Sequence, residues 1–361
     1  MARDVISYVS LDTKPKESDS LDVLIIDTTG ARPVKLYRDL TVIKEDFPDV
    51  GGESSKIYRK AAQLFNQGKT TMAESLYRKV KIVGFAAPED PAGLIDAIES
   101  FRQNDDAWSV FLTDQDEREY QEALIAYAAA TEPTFAELEV GIEDHRKLYF
   151  GQTMDKDFTF DCPRGSVIYV NDLEEEGDAA YLGNVGPFYP VRKTWKFKRP
   201  DGVGVADLTE GEKDALDEQH VNYMTSEYGR VYVKNGVCTD SEFIDTQLGA
   251  DFIAKRVRDK AYDVLLQTDD VPYMDEGFSL LGAAVIDALN DATDNRIIAR
   301  DPESGKGVFF VVIPTRAQAT DDQARNRLMP DIFWEALIEG AVHRTRVRGV
   351  LRASLVQDNA A

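Results

Sequence analysis

Positive charge is what this chain has too little of: 42 lysines and arginines face 65 aspartates and glutamates, a formal net charge of −23. That balance argues against general nucleic-acid binding, because phosphate contacts need a basic footprint. Cysteine is scarce as well. Cys162 and Cys238 are the only two in 361 residues, too few for a disulfide scaffold, so both are expected as free thiols. The longest apolar runs, such as Val308 to Ile313, are far too short to span a bilayer. Met1-Ala2-Arg3-Asp4 opens without an apolar signal region, so synthesis in the cytoplasm is expected. Low-complexity tracts are missing too, and the length accommodates about two folded domains.

What is present reads first as alternating strands and helices. Val5 to Leu11 alternates like a half-buried strand, and the polar stretch to Ser20 follows as a tether. Leu21 to Ile26 is a compact apolar run ending at the turn Asp27-Thr28-Thr29-Gly30. Ser54 to Gln67 places Ile57, Ala61, Leu64 and Phe65 on one helical face. Lys79 to Phe85 and Trp108 to Leu112 read as strands, Pro91 to Gln103 and Glu117 to Ala130 as helices, an α/β rhythm to which Leu148 to Gly151 adds a strand. From Phe158 to Lys198, short strands broken by Gly165, Gly177, Gly183 and Gly186 predict a β-rich elaboration. Thr209 caps a helix, and Ala250 to Gln267 repeats Ile253, Val257, Ala261, Val264 and Leu265 at helical spacing. A second long helix begins near Glu276, Gly307 to Pro314 is a strand, and Asp321 to Gly340 reads as helix with Pro330 breaking or kinking it. Val342 to Val356 reads as a strand leaving the core.

Candidate chemistry is thin. His145, His220 and His343 have no second His or Cys at ligand spacing. Asp155, Asp157 and Asp161 begin like a calcium loop, but Phe160 stands where the turn glycine belongs and Ser166 where the bidentate acid belongs. A strand ending in Asp27-Thr28-Thr29-Gly30 echoes phosphoryl-transfer enzymes with a nucleophilic aspartate, and a metal-dependent phosphotransferase using Asp27 is one alternative function. Such chemistry also needs a cation and a positioned acid or base, and Ser304-Gly305-Lys306-Gly307 is no phosphate-cradling loop. Arg192 to Arg199 interleaves cations with Trp195 and Phe197; a strand with one buried face is the favoured reading over single-stranded nucleic acid.

The ordered pieces between Thr194 and Asp245 resemble the contractile tail sheath protein family, of the compact kind found in myophages. These are a Lys-rich strand, Pro200-Asp201-Gly202, the helix capped at Thr209, Asn222-Tyr223 and Glu242-Phe243-Ile244-Asp245. Asp46 to Phe65, Gly249 to Asp270, the turn Val271 to Gly277, and Phe333 to Gly349 resemble further segments of that family in order and spacing. The resemblance implies an α/β (α+β mixed) fold. A sheath-type inner domain is built from both chain ends, beside an outer α/β domain carrying the β-rich elaboration. The expected division is an N-terminal arm over 1–20, the outer domain over 21–229 with the elaboration at 158–198, the inner, tube-facing domain over 230–340, and a C-terminal arm over 341–361.

What the resemblance further implies is a structural, non-enzymatic subunit with no cofactor and no metal. Subunits would polymerise with themselves as hexameric rings stacked helically around a tail tube protein, with baseplate and tail terminator proteins at the ends. The expected location is the virion tail, assembled in the host cytoplasm, with no membrane insertion. Strand exchange between subunits falls to Val5, Ser7, Val9 and Leu11 at one end and to Val347, Gly349, Leu351, Ala353 and Leu355 at the other. Arg325 and Arg327, on the helical segment Ala317 to Gly340, would face the tube. A non-contractile tail component is the remaining alternative.

Overall fold

The structure, a computed structural model, describes residues 21–67, 79–139, 143–268 and 270–346. In chain order the elements begin β1 (Val23–Asp27), β2 (Arg32–Tyr37), α1 (Leu40–Asp46), α2 (Lys56–Asn66), β3 (Val80–Gly84), α3 (Pro91–Arg102), β4 (Val110–Thr113), α4 (Arg118–Ala130) and α5 (Phe135–Glu139). Next come β5 (Leu148–Thr153), β6 (Gly165–Tyr169), α6 (Gly177–Val185), α7 (Glu210–Glu218), β7 (Asn222–Glu227) and β8 (Arg230–Lys234). The chain then runs through α8 (Ile244–Gln267), α9 (Asp275–Asp294), β9 (Phe309–Val312), α10 (Asp321–Asn326) and β10 (Phe333–Ala336).

Eight strands form one sheet in the order β2-β3-β1-β4-β5-β6-β7-β8. The six inner strands are parallel, and β2 and β8 close the two edges antiparallel. A parallel sheet must be covered on both faces, which is why its strands read as unbroken apolar runs. In β1, Val23 and Ile25 point into one core with α1, α2 and α6, while Leu24 and Ile26 point into the opposite core with α3, α4 and α7. The mixed α/β fold is therefore a three-layer sandwich. A third, smaller core joins Phe252 and Ile253 of α8 to Val285, Leu289 and Ala292 of α9, with Phe309, Val311 and Trp334 packed against it.

Helix starts follow the local chemistry. Thr209 and Glu212 make a reciprocal capping box at α7, and Ser55 and Asp90 accept backbone N–H groups at α2 and α3. Ile57, Ala61 and Leu64 of α2 are buried as their spacing predicts.

Three segments differ from expectation. Between 158 and 198 the chain holds one strand, β6, and then the helix α6. Gly165, Gly177 and Gly183, which read as strand breakers, are close-packing positions: a Cβ at Gly183 would sit 2.7 Å from the Leu64 carbonyl oxygen, so this glycine lets α6 lie directly on α2. Arg192 to Arg199 is not a strand either. Trp195 is buried, stacked 5.2 Å from Phe150 and edge-on to Tyr181 at 5.1 Å, but Phe197 adopts φ +64° and turns its ring outward. Left-handed backbone at that residue breaks the two-residue alternation the sequence suggested. Beyond α10, Arg327 is also left-handed, and Phe333–Ala336 pairs antiparallel with β9 instead of continuing a helix. Pro330 separates the two elements, as its missing N–H and fixed φ favour.

Candidate functional site

The winding of the large sheet reverses at β1, which lies between β3 and β4. In open α/β sheets ligands bind beyond the carboxyl ends of the strands at such a reversal. Asp27 ends β1 there, and Asp114 follows β4. Asp27 is fully buried; its Oδ1 accepts from the Thr29 backbone N–H at 2.9 Å and the Thr29 hydroxyl at 2.6 Å, and its Oδ2 lies 3.4 Å from Arg32 Nε. Asp114 accepts from the Thr28 hydroxyl at 2.9 Å and the Thr28 N–H at 3.1 Å, and burial pushes its carboxyl above the usual carboxylate range against the pull of those bonds.

Lys56, Arg59 and Lys60 share one face of α2, at i, i+3 and i+4, and turn it onto this rim. The Lys56 ammonium donates to the Asp114 carbonyl at 2.6 Å and pairs with Asp116. Arg59 donates to Glu176 at 3.1 Å. Lys60 has no solvent exposure and reaches Asp178 at 2.6 Å and Glu176 at 3.1 Å. Burial by itself depresses its pKa, yet the facing Asp178 and Glu176 charges outweigh burial and hold Lys60 above the ordinary lysine value. Burial pushes the Asp178 and Glu176 carboxyls up. Gln152 completes the rim, accepting from Gly177 N–H at 2.7 Å and donating to the Leu173 carbonyl at 2.9 Å. Side chains of the protein itself thus occupy the place where a doubly wound sheet takes a ligand.

The Asp155 cluster is separate from this rim. Asp155 pairs with Arg118 at 3.3 Å and accepts from the Asp157 N–H at 2.9 Å. Among the described residues no group of three or more His, Cys, Asp or Glu side chains could hold a metal ion. Cys162 and Cys238 are free thiols. No described helix is long and apolar enough to cross a membrane.

A second charge cluster fastens α8 to the sheet. Arg164, at the entrance to β6 and buried, donates bidentately to Asp251 of α8 at 3.0 and 2.7 Å and to Glu132 at 2.5 Å. Arg146 adds pairs to Asp144 at 3.0 Å and to Asp251 at 3.6 Å. Two planar guanidinium groups thereby set the rotation of α8 about its axis.

The two-stranded sheet is built differently. Phe309, Val311, Trp334 and Ala336 face the α8–α9 core, while Phe310, Val312 and Phe333 point outward and are each about half exposed. Phe310 and Phe333 touch at 5.9 Å across the pair. A Cβ at Gly282 of α9 would lie 2.2 Å from Ile313 Cδ1, so the end of β9 rests directly on the helix. Tyr262, Leu265 and Leu266 at the far end of α8 are exposed as well.

Of the residues assigned from sequence, Val5, Ser7, Val9 and Leu11, and Val347, Gly349, Leu351, Ala353 and Leu355, lie outside the described residues. Arg325 closes the last turn of α10 and Arg327 caps it; both are exposed, and no hydrogen bond or ion pair among the described residues engages either guanidinium. Sequence reasoning did not find the α2 cation row, the Arg164 clamp or the outward apolar face of β9 and β10. A signal existed for two of them. Lys60 interrupts the stripe Ile57, Ala61, Leu64, and Phe309-Phe310-Val311-Val312 has no polar alternation to mark a solvent face.

No protein-family profile matches the chain, and no curated protein matches it in sequence. Solved structures do match in fold. A chain of the anti-feeding prophage baseplate, 6-fold symmetrised, is similar at TM-score 0.69 and 11% identity, covering 98% of this chain and 100% of that one. The contracted helical sheath of the anti-feeding prophage is similar at 0.61 and 11%, covering 99% and 100%. A contracted sheath complex of the PVC extracellular contractile injection system is similar at 0.62 and 10%, covering 97% and 99%. The mixed α/β fold is thus one found in sheath proteins of contractile systems, over nearly the whole chain.

Proposed function

We propose that this chain is the structural subunit of a contractile sheath, stacking with copies of itself as six-fold rings around a tail tube. Neighbours are joined by exchanged β-strands, and contraction drives the tube through the host envelope. The observation that carries the reading is the fold shared with contracted sheaths over nearly the full length, together with a two-stranded sheet that leaves an apolar face in solvent. A lone two-stranded ribbon is marginal in water, and further strands stabilise it. Strands arriving from neighbouring copies would pair its edges and cover Phe310, Val312 and Phe333.

Residues 5–11 and 347–355 supply those strands in this reading. Ten extended residues reach at most about 33 to 36 Å, enough to enter an adjacent subunit. Each added hydrogen bond contributes about 1 kcal/mol net, so one arm is a modest link and the repeated lattice a strong one. The termini act as arms, the large sheet forms the outer unit, and the helix pair with β9 and β10 forms the inner unit that faces the tube. Arg325 and Arg327 meet acidic tube residues there. Baseplate and terminator proteins bound the lattice, and the subunit performs no catalysis, a reading supported by a rim already occupied by α2.

Removing residues 1–12 and, separately, 346–361 tests the exchange. Each truncation is expected to fold and to lose ring or tube formation in electron micrographs; a lattice retained by both rejects strand exchange. One observation favours a second reading, since the similarity to the baseplate chain is the higher of those above. A baseplate-proximal, non-contractile component would show no change of particle length when contraction is triggered.

A further inference from the structure

After β10 the chain passes Ile338, bridged to Ile298, and Glu339, which accepts two hydrogen bonds from Arg296 at 3.0 and 2.6 Å. From 341 to 346 it has no regular structure, and every side chain except His343 is exposed. His343 enters a slot made by elements that belong to the large-sheet body. Its Nε2 lies 2.8 Å from the Thr194 hydroxyl, and its ring stands edge-on to Phe243 at 4.7 Å and to Phe197 at 6.1 Å. Phe243 is the N-cap of α8. Phe197 is held by its N–H to the Val233 carbonyl of β8 at 3.0 Å, and it is the residue whose left-handed backbone turns its ring outward toward Tyr232 and His343.

The charges around the slot are mostly positive. Arg192, Lys193 and Lys196 lie on the loop, Lys234 on β8, and Arg344 and Arg346 flank His343 on its own segment; the acids are Glu242 and Asp245 at the start of α8, with Asp217 of α7 and Glu227 of β7 facing Lys196 and Glu227 paired with Lys234. Asp245 is already paired with Arg192. A positive charge on the imidazole would therefore add to Lys196 and its neighbouring cations in a slot that partly withdraws the ring from water. Burial first, then Lys196, depresses the pKa of His343, and Asp245 opposes them.

We propose that neutral His343 pins the root of the C-terminal segment to the body and that protonating it withdraws the pin, freeing residues 341–346. The sign follows from linkage: the released segment binds a proton more readily than the seated one, so seating is favoured at high pH and lost as pH falls below the ordinary histidine value of about 6.5. If the segment is also a lattice arm, as in the sheath reading, acid would loosen its point of departure; the pin itself can be tested on the isolated subunit, whatever that reading's fate.

A spin label on Arg346→Cys, in a background with Cys162→Ser, reports mobility from about pH 8 to about pH 5. The immobile spectral component is expected to fall by more than about half across that range, with its midpoint below about 6.5. His343→Ala should be mobile throughout and His343→Phe, which fills the slot without titrating, immobile throughout. A label equally immobile at both ends of the range, or a His343→Ala spectrum matching the parent at high pH, overturns the proposal.

Discussion

The large sheet lies between two layers of helices and closes its rim with cations from α2, whereas the small sheet covers one face and leaves Phe310, Val312 and Phe333 in solvent. The first buries apolar side chains on both faces and pairs the charges of its rim within one chain. The second stops halfway, with apolar side chains on both faces and two strands where a stable sheet needs three or more. Mutations should divide the same way, stability residing in one region and association in the other.

Lys60→Met should have the largest effect on folding. It strips the counter-charge from buried Asp178, leaves Glu176 to Arg59, and is expected to cost about 3–5 kcal/mol in urea unfolding. A loss below about 0.5 kcal/mol, the size usual for surface changes, would erase the distinction between the regions. Arg164→Leu should cost less, about 2 kcal/mol, because Asp251 retains Arg146 at 3.6 Å. Its unfolding should also become less cooperative, since α8 is the link between the two cores.

The double variant Phe310→Asp with Phe333→Asp sharpens the contrast from the other side. Its unfolding free energy should stay within about 1 kcal/mol of the parent, while sedimentation shows no higher assemblies. A variant that assembles normally would mean that the exposed face is not a contact. Arg325→Glu with Arg327→Glu should leave both folding and self-assembly unchanged and weaken co-sedimentation with tail tubes by about tenfold.

The smallest effect concerns pH. Lys156, then the Thr209 N–H and hydroxyl, hold the Glu212 carboxyl down at about 2. Its folded pKa is below its unfolded one, so the stabilisation is complete above the ordinary glutamate value of about 4.3 and is lost as pH falls through about 2. The difference in Tm between the parent and Glu212→Gln should shrink over that window. Lying at the surface, where solvent screens the pair, the group should contribute only a small shift.

Much of the large sheet was legible because its signals are local. Apolar runs such as Val23 to Ile26, the caps at Ser55, Asp90 and Thr209, and helical spacing in Ile57, Ala61 and Leu64 each report an element without reference to distant residues. What was misread depends on partners far along the chain. Gly183 is required by a contact with Leu64, Trp195 by a slot between Phe150 and Tyr181, and Phe333 to Ala336 form a strand because β9 lies alongside. The candidate site was harder still. Lys60 lies more than a hundred positions from Glu176 and Asp178, so no spacing rule unites them. The exposed face of β9 and β10 was present in the sequence as an apolar run, but a run of that kind also describes a strand buried on both faces.

Electron cryo-microscopy of the purified full-length chain at high concentration, with and without tail tubes as seeds, addresses the central claim most directly. Stacked six-fold rings or hollow tubes, with β-strands from neighbouring copies paired to Phe309–Val312 or Phe333–Ala336, are the expected result. Particles that remain monomeric under seeding, or a lattice in which that two-stranded sheet touches no neighbour, would contradict it.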